Sequence, residues 1–399
     1  MLPATRIAAE YNEQADRIPS LDGLRAISIS LVVLGHLLYA PEFISIRPVF
    51  VKWFAPLGDL GVKIFFVISG FLITGLLLRE LDVEKRIYLT RFYFRRTLRI
   101  FPPYYFFILV VITLQMIGWV TLVPGDILHA LTYTVNYHSE RSWYIGHSWS
   151  LSVEEQFYLL WPTVLLLIGR RRGLWIAFSV VALCPLIRLS IWYLFPFLLR
   201  DEIGYRFETV ADSIAAGCLL AGTHEWFKRK YLYHKILGSR FFILVPIAVY
   251  YASLLPRGSR LNLLCWMTVQ NIGIAACIAW CITNYSSKIG KVLNSKPVVF
   301  VGVMSYSIYL WQQPFLNAES SAVVCRFPLN LILIGAASLA SYYCIERPVL
   351  RIRERLENRL FAQRRRPAQD GVILLADSNI SSTSSTLTVI PQNDREHSA

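Results

Sequence analysis

The chain has 399 residues, 55% of them hydrophobic, 14% aromatic and only 17% charged, with a mean hydropathy of +0.46. That balance is far too apolar for a water-soluble protein of this size and reads as a membrane protein. A net charge of +14 raises the question of nucleic acid, but the charges sort by loop as membrane topology requires, so no nucleic-acid partner is expected.

Apolar runs long enough to cross hydrocarbon predict an all-α polytopic fold of about ten transmembrane helices. They centre on residues 24–40, 60–78, 101–122, 151–169, 174–195, 207–222, 241–256, 262–284, 298–317 and 323–345. Residues 1–20 are polar and the first apolar run begins late, so that run is expected to act as a signal anchor. Lys and Arg crowd the even connections: Arg79, Lys85, Arg86, Arg91, Arg95, Arg96 and Arg99 after the second span, Arg170 to Arg172 after the fourth, and Lys228, Arg229, Lys230, Lys235 and Arg240 after the sixth. The odd connections carry one or two each, for example Arg47 with Lys52, and Arg141 alone. The positive-inside rule then places both termini in the cytoplasm of a multi-pass protein of the cell's inner (plasma) membrane. Seven scattered cysteines without a CxxC pair predict neither a disulfide framework nor a metal site. The expected division is a cytoplasmic segment 1–20, a transmembrane domain 21–350 and a tail 351–399, basic and then Ser/Thr-rich, expected to be disordered and cytoplasmic.

An ionisable side chain inside a bilayer usually faces a cavity or a partner, so each one is a functional candidate. In the first span, "LDGLRAISISLVVLGH" sets Arg25 and His36 eleven residues apart. On an α-helix that is about 1,100°, some 20° beyond three turns, with a rise of roughly 16 Å. The two share one stripe, and the separation matches a long, thin cofactor arm. A buried imidazole is neutral, the form a general base needs; the alternative is a histidine that simply bonds a neighbouring helix. In the second span, "GVKIFFVISGFLIT" carries Lys63 near its outer end and the Ser69–Gly70 pair, which reads first as a close-packing or kink site and second as a nucleophile. "RFYFRRTLRIFPPYY" puts Arg96 and Arg99 on one helical face just before Pro102 and Pro103 open the third span. Paired guanidinium groups suit phosphates, and anchoring to anionic lipid is the competing explanation.

"GHSWSLSVEEQFYLLWP" opens the fourth span on the outer side. Ser152 and Glu155 fit a capping box, which leaves Glu154 free; with His147, Trp149 and Gln156 it suits a cavity mouth that holds a polyhydroxylated acceptor. Arg188 in the fifth span has no evident partner, and Asp212 lies in the sixth. "YLWQQPF" breaks the ninth span with Gln312, Gln313 and Pro314, and these line the same cavity in this reading. "CIERPVL" ends the last span, with Glu346 placed to pair with Arg347.

Together, "LDGLRAISISLVVLGH", "GVKIFFVISGFLIT", "RRTLRIFPPYY", "WSLSVEEQFYLLWP", "SYSIYLWQQPF" and "ERP", in that order over residues 20–350, resemble the membrane acyltransferase family 3. The resemblance implies transfer of an acyl group, usually acetyl, from cytoplasmic acyl-CoA as co-substrate to a hydroxyl of a glycan or glycolipid on or crossing the membrane. It assigns the family's Arg and His, with ten residues between them, to Arg25 and His36, its paired arginines to Arg96 and Arg99, and its acidic outer motif to Glu154 and Glu155. Arg25, Arg96 and Arg99 are then expected to hold the nucleotide of the donor. His36 is the expected base, Glu154 or Glu155 orients the acceptor or supports His36, and Ser69, Tyr and Gln side chains are candidate oxyanion donors. Direct attack and an acyl-enzyme relay both fit. Some members carry a further soluble hydrolase-like domain; its acceptor handling is expected here to be absent or supplied by a partner. A second departure is Val210, where members often have a basic residue two before the Asp, which puts an ion pair for Asp212 in doubt. The rival classes are a transporter or exporter of a glycan or lipid-linked intermediate, and a sensory or structural membrane scaffold.

Overall fold

A computed structural model describes residues 18–39, 48–195, 199–255 and 259–361. The chain divides after Arg351; the first unit carries the fold and the site, and the described part of the second is the remainder of a helix that ends at Phe361. The N-terminal residues 1–17 and the Ser/Thr-rich tail from 362 on lie outside the described residues.

Among the described residues the chain is helical, with no strand. The helices that build the site are α1 (Leu21–Leu37), α2 (Leu57–Glu84), α3 (Leu89–Met116), α4 (Trp149–Leu194), α5 (Phe207–Lys228), α6 (Met267–Thr283), α7 (Lys296–Val303) and α8 (Ser305–Phe315). Each of the ten apolar stretches contains helix among its described residues, but fewer are spans by length and composition. Five pass that test among the described residues: Val51–Glu84, Leu89–Met116, Trp143–Leu194, Asn262–Thr283 and Leu329–Phe361. A sixth is added if the pair Tyr231–Leu237 and Arg240–Ser253, bent by 61°, counts as one.

The differences have local causes. Helix α1 has 17 residues, about 26 Å of rise and so slightly short of the hydrocarbon thickness. The fourth and fifth stretches form one continuous α4, broken only at Gly169, whose φ of 76° and ψ of 176° are not helical. The chain turns back there, since Gly173 lies against the side chain of Leu165, a residue about 12 Å away on an unbroken helix. The ninth stretch is interrupted at Met304 into α7 and α8. In the third, helix begins at Leu89, well before Pro102 and Pro103, so both prolines sit inside α3 together with Arg96 and Arg99.

Helix α2 is central. Of its most apolar window 61% is buried inside the protein, against 28% for Trp143–Leu194. Small residues explain the burial: a Cβ at Gly61 would stand 2.5 Å from the Ser28 carbonyl oxygen of α1, and one at Gly70 would meet the Ile214 carbonyl of α5. Backbones can approach this closely only where side chains are missing, and in lipid that approach is what drives helices together. Phe66, Ile73 and Leu77 of α2, Tyr104 and Phe107 of α3, Val153 and Leu165 of α4 and Leu310 of α8 form the apolar packing around the polar interior.

Candidate active site

Two adjoining cavities lie among these helices. The narrow one, about 100 Å³, is lined by Arg25, Ser69, Arg96, Arg99, Glu154, Glu155 and Tyr158. The wide one, about 1220 Å³, is lined by His36, Lys63, Trp143, His147, Trp149 and Tyr205 among others. Val62, Phe66 and Tyr309 line both and form the wall between them.

The narrow chamber is built from five helices, α1, α2, α3, α4 and α8. Ser69 Oγ of α2 donates to Glu154 Oε1 of α4 at 2.8 Å. One turn further along α4, the Tyr158 hydroxyl lies 3.1 Å from both Glu154 Oε2 and Ser69 Oγ, and its single hydrogen serves one or the other. Arg96 of α3 packs its guanidinium over the Tyr158 ring, 5.1 Å from the centroid. Arg25, one turn into α1, is bonded at 3.4 Å to Asp22. Glu155 adds a carboxylate oxygen that is buried with no hydrogen-bond partner among the described residues. Three guanidinium groups and two carboxylates therefore share a space that is too small to dilute their fields with much water.

This arrangement differs from the sequence expectation in one respect. Glu154 or Glu155 was expected at an outer mouth, orienting the acceptor or supporting His36; both instead line the narrow chamber with the arginines. Helix α4 begins at Trp149, so the two glutamates lie more than a turn inside it, with Glu154 facing Ser69. Ser152 is not a cap: it is fully buried and its hydroxyl donates to the Ser148 carbonyl at 3.1 Å, which leaves Glu155 free of that role.

His36 faces the wide vestibule. Its Nδ1 pairs at 2.8 Å with Oε1 of Gln312, a fully buried residue of α8, and its ring meets Trp143 edge-on at 5.7 Å. His147 is buried beside Phe107, with ring centroids 5.5 Å apart. Tyr309 donates to the His147 carbonyl at 2.8 Å. Trp149 stands edge-on to Phe66 at 5.8 Å and to Tyr205 at 5.0 Å. Lys63 Nζ donates to Gln270 at 2.6 Å. Gln156 lines neither cavity; its amide is committed to Asn136 Oδ1 at 2.9 Å and to the Tyr133 carbonyl at 3.1 Å, so it holds a loop and not an acceptor.

Arg188 and Asp212 solve each other. The two form an ion pair with both side chains fully buried. Arg188 Nε also donates to the Thr209 carbonyl at 2.7 Å and Nη1 to Thr268 Oγ1 at 3.0 Å, while Thr268 donates to Asp212 at 2.6 Å. The basic partner missing at Val210 arrives from α4 instead. Glu346 likewise accepts from Ser307 at 2.9 Å, where Arg347 was expected.

Sequence reasoning placed Gln313 at the cavity, which it lines, but did not single out Tyr158 or Tyr309 as parts of the polar interior. Tyr158 had a signal: it follows Glu154 by four residues and must share its face. Tyr309 had none beyond a polar, Pro-broken span.

Apolar helices around an adjoining pair of cavities lined by charged and polar side chains define a polytopic helical membrane protein with a polar interior. Residues 18–346 match the model of the acyltransferase domain, and the chain belongs to that family. It is similar to YrhL of Bacillus subtilis (strain 168), 28% identical over 375 residues, which cover 83% of this chain and 55% of that protein. It is also similar to the O-acetyltransferase OatA of Staphylococcus aureus, 30% identical over 368 residues, 83% of this chain and 57% of that one. The peptidoglycan O-acetyltransferase OatA of Listeria monocytogenes is 26% identical over 392 residues, covering 88% and 57%. The chain thus spans a little over half the length of these relatives. No solved structure matches it.

Proposed function

We propose that the protein is an O-acyltransferase that moves an acetyl group from acetyl-CoA to a hydroxyl of a glycan or glycolipid. One observation carries this: Arg25 and His36, on a single stripe of α1, open into two adjoining cavities, one cation-lined and slender, the other wide and aromatic. In this reading Arg25, Arg96 and Arg99 hold the donor's phosphates, since guanidinium forks match phosphate oxygens. Ser69, Tyr158 and Glu154 offer hydrogen bonds partway along the slender path, where a thin amide-bearing arm would pass. Trp149, Tyr205 and Trp143 offer apolar ring faces to sugar units in the vestibule.

The step is a direct substitution. His36 Nε2 takes the proton of the acceptor hydroxyl, the oxygen attacks the thioester carbonyl, the carbon–sulfur bond breaks and the departing thiolate recovers a proton. Tyr309, which lines both chambers, stabilises the oxyanion in this reading by turning its hydroxyl from the His147 carbonyl, to which it now donates. The names of the relatives support a glycan acceptor, and peptidoglycan is the first to test. The loop charges support ten membrane crossings with both termini in the cytoplasm of the plasma membrane, the side that supplies acyl-CoA. An exporter, by contrast, has no use for a phosphate-type arginine pair in phase with a buried histidine.

The test uses purified protein without any gradient, supplied with acetyl-CoA and a chitin pentasaccharide as acceptor probe. Release of free CoA dependent on the oligosaccharide supports transfer. Gradient-dependent movement of glycan with no loss of thioester would replace it with export.

A further inference from the structure

The ring of His36 has two nitrogens, and which one bears hydrogen decides whether the vestibule meets a base or a donor. The structure fixes the choice through a chain of hydrogen bonds that can be followed from an unambiguous end. The backbone carbonyl of Trp143 can only accept, so the atom 3.0 Å from it is the amide nitrogen of Gln313. The other end of that amide is oxygen, and it accepts from Gln312 Nε2 at 3.1 Å. Gln312 therefore turns its own oxygen to His36 Nδ1, 2.8 Å away. An amide oxygen cannot donate, so Nδ1 carries the hydrogen.

We propose that Gln312 and Gln313 are positioning residues: an amide relay anchored on the Trp143 carbonyl that holds His36 as the Nδ1–H tautomer and leaves Nε2 bare toward the vestibule. This rests on the reading of His36 as a base. Gln312 is 0% and Gln313 4% exposed, so water is not at hand to replace either amide. Trp143 closes the assembly from the other side: its indole Nε1 donates to the Gln313 carbonyl at 2.7 Å while its ring rests edge-on against His36. Pro314 follows at once and has no N–H to continue the helix, and α8 ends at Phe315. Two adjacent glutamines at a helix end are thus explained by one task.

The deciding experiment is nitrogen-15 NMR of the full chain labelled at histidine. Of the seven histidines, His36 is identified by the signals lost in His36→Asn. The expected wild-type spectrum shows a protonated Nδ1 and a bare Nε2 for His36; a hydrogen on Nε2 overturns the relay without need of any variant. Gln312→Leu is expected to redistribute the hydrogen between the nitrogens and to slow CoA release about 5- to 150-fold, the cost of one unmade buried hydrogen bond. Gln312→Glu, which still accepts from Nδ1, is expected to restore the wild-type pattern. If the tautomer is as stated but His36→Asn turns over normally, the base reading fails and the relay stands. If His36→Asn is inactive and the hydrogen sits on Nε2, the relay fails and His36 acts as base through Nδ1 instead.

Discussion

Replacing Asp212 by Asn tests the buried pair that the sequence left unmatched. The change keeps the size of the side chain and one carbonyl oxygen, and it leaves Arg188 its bonds to Thr209 and Thr268. What disappears is the counter-charge of a guanidinium with no solvent exposure. Breaking a buried ion pair from one side costs about 3–5 kcal/mol, because the surviving charge stays desolvated. Against a folding stability of about 5–15 kcal/mol, that is about a fifth of the total or more. The assay is the thermal midpoint of detergent-purified protein, followed by loss of the monodisperse peak in size-exclusion chromatography; the midpoint of Asp212→Asn should fall sharply. The double variant Arg188→Met with Asp212→Leu should recover most of the loss, since well-packed apolar groups in place of both charges are close to neutral or better. An unchanged midpoint for Asp212→Asn would show that the pair contributes nothing through its charge. A double variant as unstable as the single would assign the cost to packing.

Arg96→Ala together with Arg99→Ala should raise the KM for acetyl-CoA at least about tenfold, the loss of one or two charge-assisted bonds; unchanged affinity returns both residues to topology. Ser69→Ala should keep roughly a tenth or more of wild-type turnover, because direct attack needs no serine nucleophile, whereas trapping of an acyl-Ser69 ester by mass spectrometry would establish the relay. Gln156→Ala should lower the thermal midpoint by freeing Asn136 and leave the KM for the acceptor unchanged; a raised KM would restore Gln156 to the acceptor site.

Much of the site was legible because membrane burial makes polar residues expensive and therefore conspicuous. Arg25, His36, Arg96, Arg99 and Glu154 stood out as charges in or beside apolar helix, and all line one of the two cavities. Helical phase gave the shared stripe of Arg25 and His36, which needs only one helix. Relations between helices were hidden. Nothing in the spacing says that Glu154 meets Ser69 and not His36, or that Gln312 and not a carboxylate reaches the imidazole, because those contacts depend on the crossing of α1, α2, α4 and α8. Arg188 and Asp212 could have been matched in advance, as two opposite buried charges that neither could sustain alone. The spans are a relation of the same kind: hydropathy registers ten apolar stretches, whereas five or six helices pass by length and composition, because Met304 interrupts one stretch and two others run together as α4 through the corner at Gly169.

Acyl transfer at His36 meets its most direct test in the glycans themselves. Mass spectrometry of base-labile acetyl esters on cell glycans, compared between a deletion strain expressing the wild-type chain and one expressing His36→Ala at equal membrane abundance, should find the esters with the first and lose them with the second. Equal ester content in both strains would show that His36 is not the base and that the chemistry lies elsewhere in the chain.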